Sequence, residues 1–90
     1  MKSERYASDV PKSAKRKNIS GRRIQEARGR FRPPLTQDRL SGRLARLGVQ
    51  LDRAAIAKIE NNLRGVLDYE LRALAKALGV RVDWLLGGEE

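Results

Sequence analysis

Cysteine and histidine are both absent from this chain of 90 residues. Without cysteine there are no disulfides and no thiolate chemistry. Without histidine the commonest metal ligand is missing, so the chain has no zinc-finger pattern. No apolar run approaches the roughly 18 residues that a membrane-spanning helix needs, and no hydrophobic stretch follows the basic N-terminus as in a secretory signal. These absences predict a cytoplasmic protein that binds no metal and does not enter a membrane.

The residue patterns of catalysis are lacking as well. No hydroxyl nucleophile has a histidine to activate it, and no two acidic residues are set as an acid/base pair. Gly87 and Gly88 have no helix after them, so they do not form a phosphate-binding loop. We therefore expect that the protein is not an enzyme, with no catalytic residue and no cofactor.

Positive charge is what the chain has in excess. It holds 20 Lys or Arg against 11 Asp or Glu, a formal net charge of +9. Residues 1–35 contain 11 basic and 3 acidic residues (+8), whereas residues 36–90 contain 9 and 8 (+1). Such asymmetry is typical of proteins that bind a polyanion, most often nucleic acid. Basic tails also bind membranes or serve only solubility.

Residues 1–18 and 19–90 differ in composition and in the spacing of their apolar residues. The first segment has no apolar period and carries Pro11 and the basic run 15–17. Because such a composition cannot offset the entropy of ordering, we predict a disordered basic N-terminal arm. The arm either lies on DNA phosphates or in a minor groove, as homeodomain arms do, or has no role. Residues 19–90 are long enough for one small domain.

Residues 36–60 predict two helices with a tight connection. Thr36 and Asp52 are suitable N-caps because their side-chain oxygens can accept from first-turn N–H groups. Gly48 follows the first helix, where a positive φ is expected. The inward residues recur at helical spacing and are Leu40, Leu44 and Leu47 in the first helix and Ile56 and Ile59 in the second. The second helix then presents basic and small residues outward, which suits either a DNA major groove or plain exposure to solvent.

Three more helices are expected around this pair. One begins near Ser20 with Ile24 and Ala27 inward and Arg23 outward, and it ends near Gly29. Another follows a loop in which Asn62 adopts a left-handed conformation. We expect Asp68 to cap this helix and Gly79 to end it; its inward stripe is Leu71, Leu74, Ala75 and Leu78. The last helix is short and contains Val82, Trp84, Leu85 and Leu86. No stretch has a strand pattern, so the fold class is all-α.

The order of these pieces resembles the phage-repressor and Cro type of helix-turn-helix domain, which includes the xenobiotic-response-element regulators of bacteria. The resemblance rests on TQ opening one helix, IxxIE closing the next, and LAKALGV followed by VDWLLGG. It covers about residues 19–87. It implies a compact five-helix bundle of the lambda-repressor-like type, which binds operator DNA as a homodimer with the third helix, residues 52–61, in the major groove.

The resemblance also implies roles for individual residues. It assigns base reading to Arg53, Ala54 and Lys58, contacts with the DNA backbone to Gln37, Asn61 and Arg64, and a structural ion pair to Arg28 and Glu60. The chemistry is suitable, since arginine can reach guanine O6 and N7 together and an alanine can touch a thymine methyl. Lys58 lies one turn beyond Ala54 and shares its face.

Trp84 and Leu85 are core residues by composition, but the resemblance places a dimer contact near them, so both interpretations stay open. Between Gln37 and Glu60 the chain is about five residues longer than compact repressors of this type, and roughly three of these extend the second helix by about one turn while about two lengthen the connection. Ser41 and Gly42 are expected to supply the small side chains at the tight helix crossing.

Two functions from different classes follow. The first is sequence-specific binding of double-stranded DNA by a small bacterial or phage-type transcriptional regulator, a repressor, found on the nucleoid when bound to DNA. The second is a protein-interaction module, such as an antitoxin-like or coactivator-type bridging partner. Basic and small residues on the outer face of the third helix favour DNA, whereas an exposed apolar stripe there would favour a protein partner.

Overall fold

The computed structural model describes residues 19–89, and this part of the chain contains five α-helices and no strand. The helices are α1 (Ile19–Gly29), α2 (Gln37–Arg46), α3 (Arg53–Glu60), α4 (Asp68–Leu78) and α5 (Val82–Leu85). The predicted all-α, five-helix class is confirmed. The predicted N-terminal arm, residues 1–18, lies outside the described residues.

All five helices share one hydrophobic core. α1 packs against α3, α4 and α5, while α2 packs against α3 and α4. The most completely buried large side chains come from every helix and are Ile24, Leu40, Leu44, Ile56, Ile59, Leu74 and Leu85. The apolar stripes identified in the sequence therefore meet in the centre of the bundle, which leaves the polar faces of α2 and α3 outside.

The ends of the helices follow local chemistry. Thr36 Oγ1 accepts a hydrogen bond of 3.0 Å from the Arg39 N–H, and Asp52 Oδ1 accepts one of 2.8 Å from the Ala55 N–H. Both predicted N-caps are confirmed. The positive φ expected at Gly48 and Asn62 is confirmed, and Gly79, which ends α4 as predicted, also has a positive φ.

The prediction that Asp68 caps α4 is wrong. Asp68 is the first residue inside the helix, and Leu67 occupies the N-cap position without a side-chain hydrogen bond. Instead, the Leu67 N–H donates to Glu70 Oε1 at 3.0 Å. A glutamate three residues after the N-cap can reach back to this N–H, so Glu70 stabilises the start of the helix.

The connection between α2 and α3 spans residues 47–52, six in all. This is longer than the three to four residues usual in helix-turn-helix connections. Leu47, predicted inward, lies past the last turn of α2 and is 38% exposed, and Val49 and Leu51 are buried in the core in its place. Because two apolar side chains anchor the connection, its extra length does not detach α3 from the bundle.

The tight helix crossing is not at Gly42, contrary to the prediction. Gly42 is exposed on α2, and a Cβ added there would meet no other part of residues 19–89 within 4 Å. The close approach is instead at Gly21 of α1, where an added Cβ would collide with the Ile59 carbonyl oxygen near the end of α3. A glycine is needed at this crossing because the backbones of α1 and α3 leave no space for a side chain.

Arg23, predicted to point outward, holds the C-terminal segment against α1. Its guanidinium lies 4.6 Å from the centroid of the Trp84 ring and donates to the carbonyl oxygens of Trp84 (3.0 Å) and Gly88 (3.1 Å). The Arg30 guanidinium lies 4.7 Å from the same ring. Arginine stacks readily on tryptophan, and these contacts keep α5 in place.

Candidate nucleic-acid interface

The outer face of α3 is formed by polar and small side chains. Arg53, Ala54 and Lys58 are all exposed, while Ile56 and Ile59 on the opposite face are buried at 1% exposure each. Neither Arg53 nor Lys58 has an ion-pair partner among residues 19–89. The charges of this face are therefore available to an external anion.

A buried carboxylate fixes α3 relative to α1 and α2. The Glu60 side chain is 1% exposed. Its Oε2 accepts from Arg28 Nε at 2.7 Å, and its Oε1 accepts from Arg28 Nη2 at 2.9 Å. The two residues therefore form a bidentate ion pair, the geometry in which arginine binds a carboxylate most specifically.

Gln37 joins the same network. Its amide nitrogen donates to Glu60 Oε1 at 2.9 Å, and Arg28 Nη1 donates to the Leu35 carbonyl oxygen at 2.9 Å. No buried side-chain nitrogen or oxygen within residues 19–89 lacks a hydrogen-bond partner. The network thus satisfies its buried polar atoms while it connects α1, the start of α2 and the end of α3.

The start of α2 and the start of α3 border one open groove. Its lining residues come from α1, α2 and α3 and are Arg28, Thr36, Gln37, Asp38 and Arg53. The structure therefore brings Gln37 and Arg53 to the same surface, although they are separated in sequence. Asp38 adds a negative charge at this groove, close to the start of α2, where a carboxylate interacts favourably with the helix dipole.

Asn61 and Arg64, expected at the DNA backbone, both have partners inside the protein. The exposed Asn61 side chain donates to the Ala57 carbonyl oxygen at 2.9 Å. Arg64 donates to Glu70 through two nitrogens, each 3.0 Å from a carboxylate oxygen. The hydrogen bonds that Arg64 donates to Glu70 hold the pKa of Glu70 below its usual value, and they raise the pKa of Arg64.

The Arg64–Glu70 pair could not be identified from the sequence motifs. Glu70 is 3% exposed, so its charge depends on Arg64 for compensation. The same carboxylate accepts from the Leu67 N–H at the start of α4. The pair thereby fixes the loop that follows α3, a role that sequence reasoning missed. The one signal in the sequence was the position of Glu70 three residues after Leu67, which is the spacing of a capping-box glutamate from its N-cap.

Trp84 and Leu85 lie in the protein's own core. They are 5% and 0% exposed, respectively. Leu86, the next residue, is 60% exposed. A dimer contact at this end of the molecule would therefore have to use Leu86 and its surroundings rather than the side chains of Trp84 and Leu85.

Comparison with known proteins gives one family. Residues 42–85, from the middle of α2 to the end of α5, match the family model described as "Helix-turn-helix". Neither the curated proteins nor the solved structures gave a match to the chain. The matched family consists of DNA-binding regulatory domains of the xenobiotic-response-element type. Separately, none of the helices within residues 19–89 is long and apolar enough to cross a membrane.

Proposed function

Because the chain carries a helix-turn-helix domain of the xenobiotic-response-element type, we propose that it is a sequence-specific transcriptional repressor. In this proposal it binds operator DNA as a homodimer with α3 in the major groove. The observation that carries the proposal is the outer face of α3, where Arg53 and Lys58 are exposed without a carboxylate partner in residues 19–89. The protein would act in the cytoplasm, on the nucleoid.

The base-reading residues of the proposal are Arg53, Ala54 and Lys58. Arg53 is the first residue of α3, and the first turn of a recognition helix is the part that contacts base edges. A guanidinium there can bind guanine O6 and N7 together, and the Ala54 methyl can contact a thymine methyl. Lys58 is one turn further along the same face.

The backbone contacts of the proposal are made by Gln37, Asn61 and Arg64. Gln37 borders the same groove as Arg53, which supports a contact at the edge of the operator site. Asn61 is exposed directly after α3. The Arg64 side chain is 34% exposed despite its pair with Glu70, so it can approach a phosphate without leaving its partner. Contacts of this kind fix register without reading sequence.

A protein-interaction module is the second candidate. Three large apolar side chains are exposed in the loop after α3 and at the start of α4: Leu63 (74%), Leu67 (54%) and Tyr69 (60%). Exposed apolar residues close together can mark a protein-binding surface. An antitoxin-like or coactivator-type partner would bind there, and this is compatible with DNA binding through α3.

Selection from randomised duplex DNA by the purified full-length protein tests the proposal. It should be done at about physiological salt, where binding to phosphates alone weakens steeply. The expected result is an enriched inverted repeat with half-sites about one helical turn apart. Binding that fades with salt and enriches no sequence would contradict the repressor proposal and favour the protein-interaction module.

A further inference from the structure

Arginines form a stripe on the side of α2 that faces away from α3. Arg39, Arg43 and Arg46 follow one another at four-residue and three-residue spacing, which places them along one side of the helix. Gln37, which contacts Glu60 of α3, lies about 120 to 180° away around the helix axis. The stripe is therefore separate from the surface proposed to bind the operator.

Arg43 anchors this side of α2 to the rest of the bundle. Its guanidinium lies 4.9 Å from the centroid of the Phe31 ring and donates to the Ala77 carbonyl oxygen at 2.9 Å. Arg39 and Arg46 differ, because their exposed side chains form no hydrogen bond or ion pair with any residue from 19 to 89. Within the described part of the chain, these two guanidinium groups therefore stabilise no contact of the fold.

Two shallow grooves meet at Arg43 and Arg46. One is lined by Leu35, Arg39, Gly42, Arg43 and Arg46. The other is lined by Arg43, Arg46, Leu47, Lys76 and Ala77. Each groove thus combines cationic groups with apolar surface, and Leu47 is 38% exposed. Gly42 contributes backbone but no side chain to the first groove.

We propose that the α2 arginine surface, defined as Arg39, Arg43, Arg46 and Lys76, binds an acidic segment of a partner protein. The segment would carry carboxylates at helical spacing and an apolar side chain between them. Guanidinium groups bind planar carboxylates in a bidentate manner. The apolar lining favours a peptide over nucleic acid, since a phosphate backbone has no apolar group to place against Leu47. The surface leaves α3 exposed, so the segment and DNA can bind together.

Fluorescence anisotropy with a labelled synthetic peptide tests this inference. The peptide has glutamates at i, i+4 and i+7 with leucines between them, and a second peptide has glutamines at the same positions. The test variant of the full-length protein is Arg39→Gln/Arg46→Gln. Arg53→Gln/Lys58→Gln is the matched control because it removes the same charge from α3. Arg43 is left intact because it holds α2 against α4.

The glutamate peptide is expected to bind the wild-type protein and the glutamine peptide to bind much more weakly. The Arg39/Arg46 variant should lose about tenfold in affinity, while the control loses less than about twofold. The Lys76→Gln variant, which is changed on α4, should lose about threefold in affinity for the glutamate peptide. It tests the α2 arginine surface without a change in α2 itself. Thermal unfolding of both double variants should match the wild type, since none of the four substituted side chains has a hydrogen-bond or ion-pair partner within residues 19–89.

Three results would overturn the inference. The first is no measurable binding of the glutamate peptide by the wild-type protein. The second is an equal loss in both double variants, because the peptide would then respond only to net charge. The third is displacement of the peptide by random duplex DNA from the Arg53→Gln/Lys58→Gln variant, which would make the α2 arginine surface a phosphate-binding site. None of these results bears on whether α3 reads an operator.

Discussion

Gln37 and Glu60 are joined by a hydrogen bond of 2.9 Å from the amide nitrogen to a carboxylate oxygen, although 23 positions separate them in the sequence. The first residue of α2 is thereby tied to the last residue of α3. Glu60 is in turn held by Arg28 of α1. The orientation of α3 therefore depends on a side chain that we also propose to contact the edge of the operator.

Glu60→Gln should destabilise the protein more than Gln37→Ala does. The first change leaves the Arg28 guanidinium, only 16% exposed, without its counter-charge, at a cost of about 3 kcal/mol. The second removes one neutral donor and should cost about 1 kcal/mol. Urea unfolding measures both, with midpoints that shift at an unchanged slope. Equal losses in the free energy of unfolding would mean that the Arg28–Glu60 ion pair stabilises the protein no more than the hydrogen bond from the Gln37 amide does.

Arg53→Ala should weaken operator binding by about 1–3 kcal/mol and relax preference at one base pair. The reason is the loss of a bidentate contact with one guanine. Arg72→Ala is the matched control, because Arg72 is an exposed arginine of α4. Binding to the operator and to its single-base-pair variants measures the effect. A loss of the same size on every sequence would reduce Arg53 to a phosphate contact.

Removal of residues 1–18 should lower the salt dependence of DNA binding with little change in sequence preference. This segment carries 6 Lys or Arg against 2 acidic residues, and each phosphate that a basic residue neutralises adds roughly one to the slope of log affinity against log salt. Titrations at several salt concentrations compare the truncated and full-length proteins. An unchanged slope would show that the arm does not touch DNA.

Local features were predictable from the residues themselves, whereas the long-range contacts were not, apart from the Arg28–Glu60 ion pair that the family resemblance implies. The caps at Thr36 and Asp52 depend on residues within one turn, so their chemistry is visible in the chain itself. The crossing at Gly21 depends on the path of α3, nearly 40 residues later, and helical periodicity does not report it. The stacking of Arg23 on Trp84 was missed for the same reason, since an arginine on an amphipathic helix ordinarily predicts an exposed side chain.

Gly21→Ala and Gly42→Ala should have opposite effects on stability. At Gly21 the added methyl collides with the Ile59 carbonyl oxygen, so the backbone must shift, at a cost of about 1–3 kcal/mol. At Gly42 the methyl meets no other part of the described chain within 4 Å, and the higher helix propensity of alanine should stabilise the protein by about 0.5–1 kcal/mol. Thermal unfolding of the two variants and the wild type measures both changes in stability. Stabilisation by both changes would refute the close crossing of α1 and α3.

The stabilisation due to Glu70 should disappear in acid. The hydrogen bond from Arg64 lowers the pKa of this carboxyl below its usual value of 4.5, so the folded state favours the charged form. The contribution is therefore complete above pH 4.5 and is lost as the pH falls through the lower, folded-state pKa. Glu70→Gln removes the charge, and at neutral pH it should cost about 1–3 kcal/mol.

Urea unfolding of wild type and Glu70→Gln between neutral and acid pH tests this dependence. The difference in free energy of unfolding should be constant near neutrality and shrink below pH 4.5, because the wild-type protein then also loses the charge. Asp83→Asn is the control. The pKa of Asp83 is lowered by the hydrogen bond from Arg81, but both side chains are exposed and solvent screens their interaction, so its variant should follow the wild-type curve. If the difference in free energy of unfolding between wild type and Glu70→Gln stayed constant at acid pH, packing around Glu70, rather than its charge, would be what holds the loop after α3.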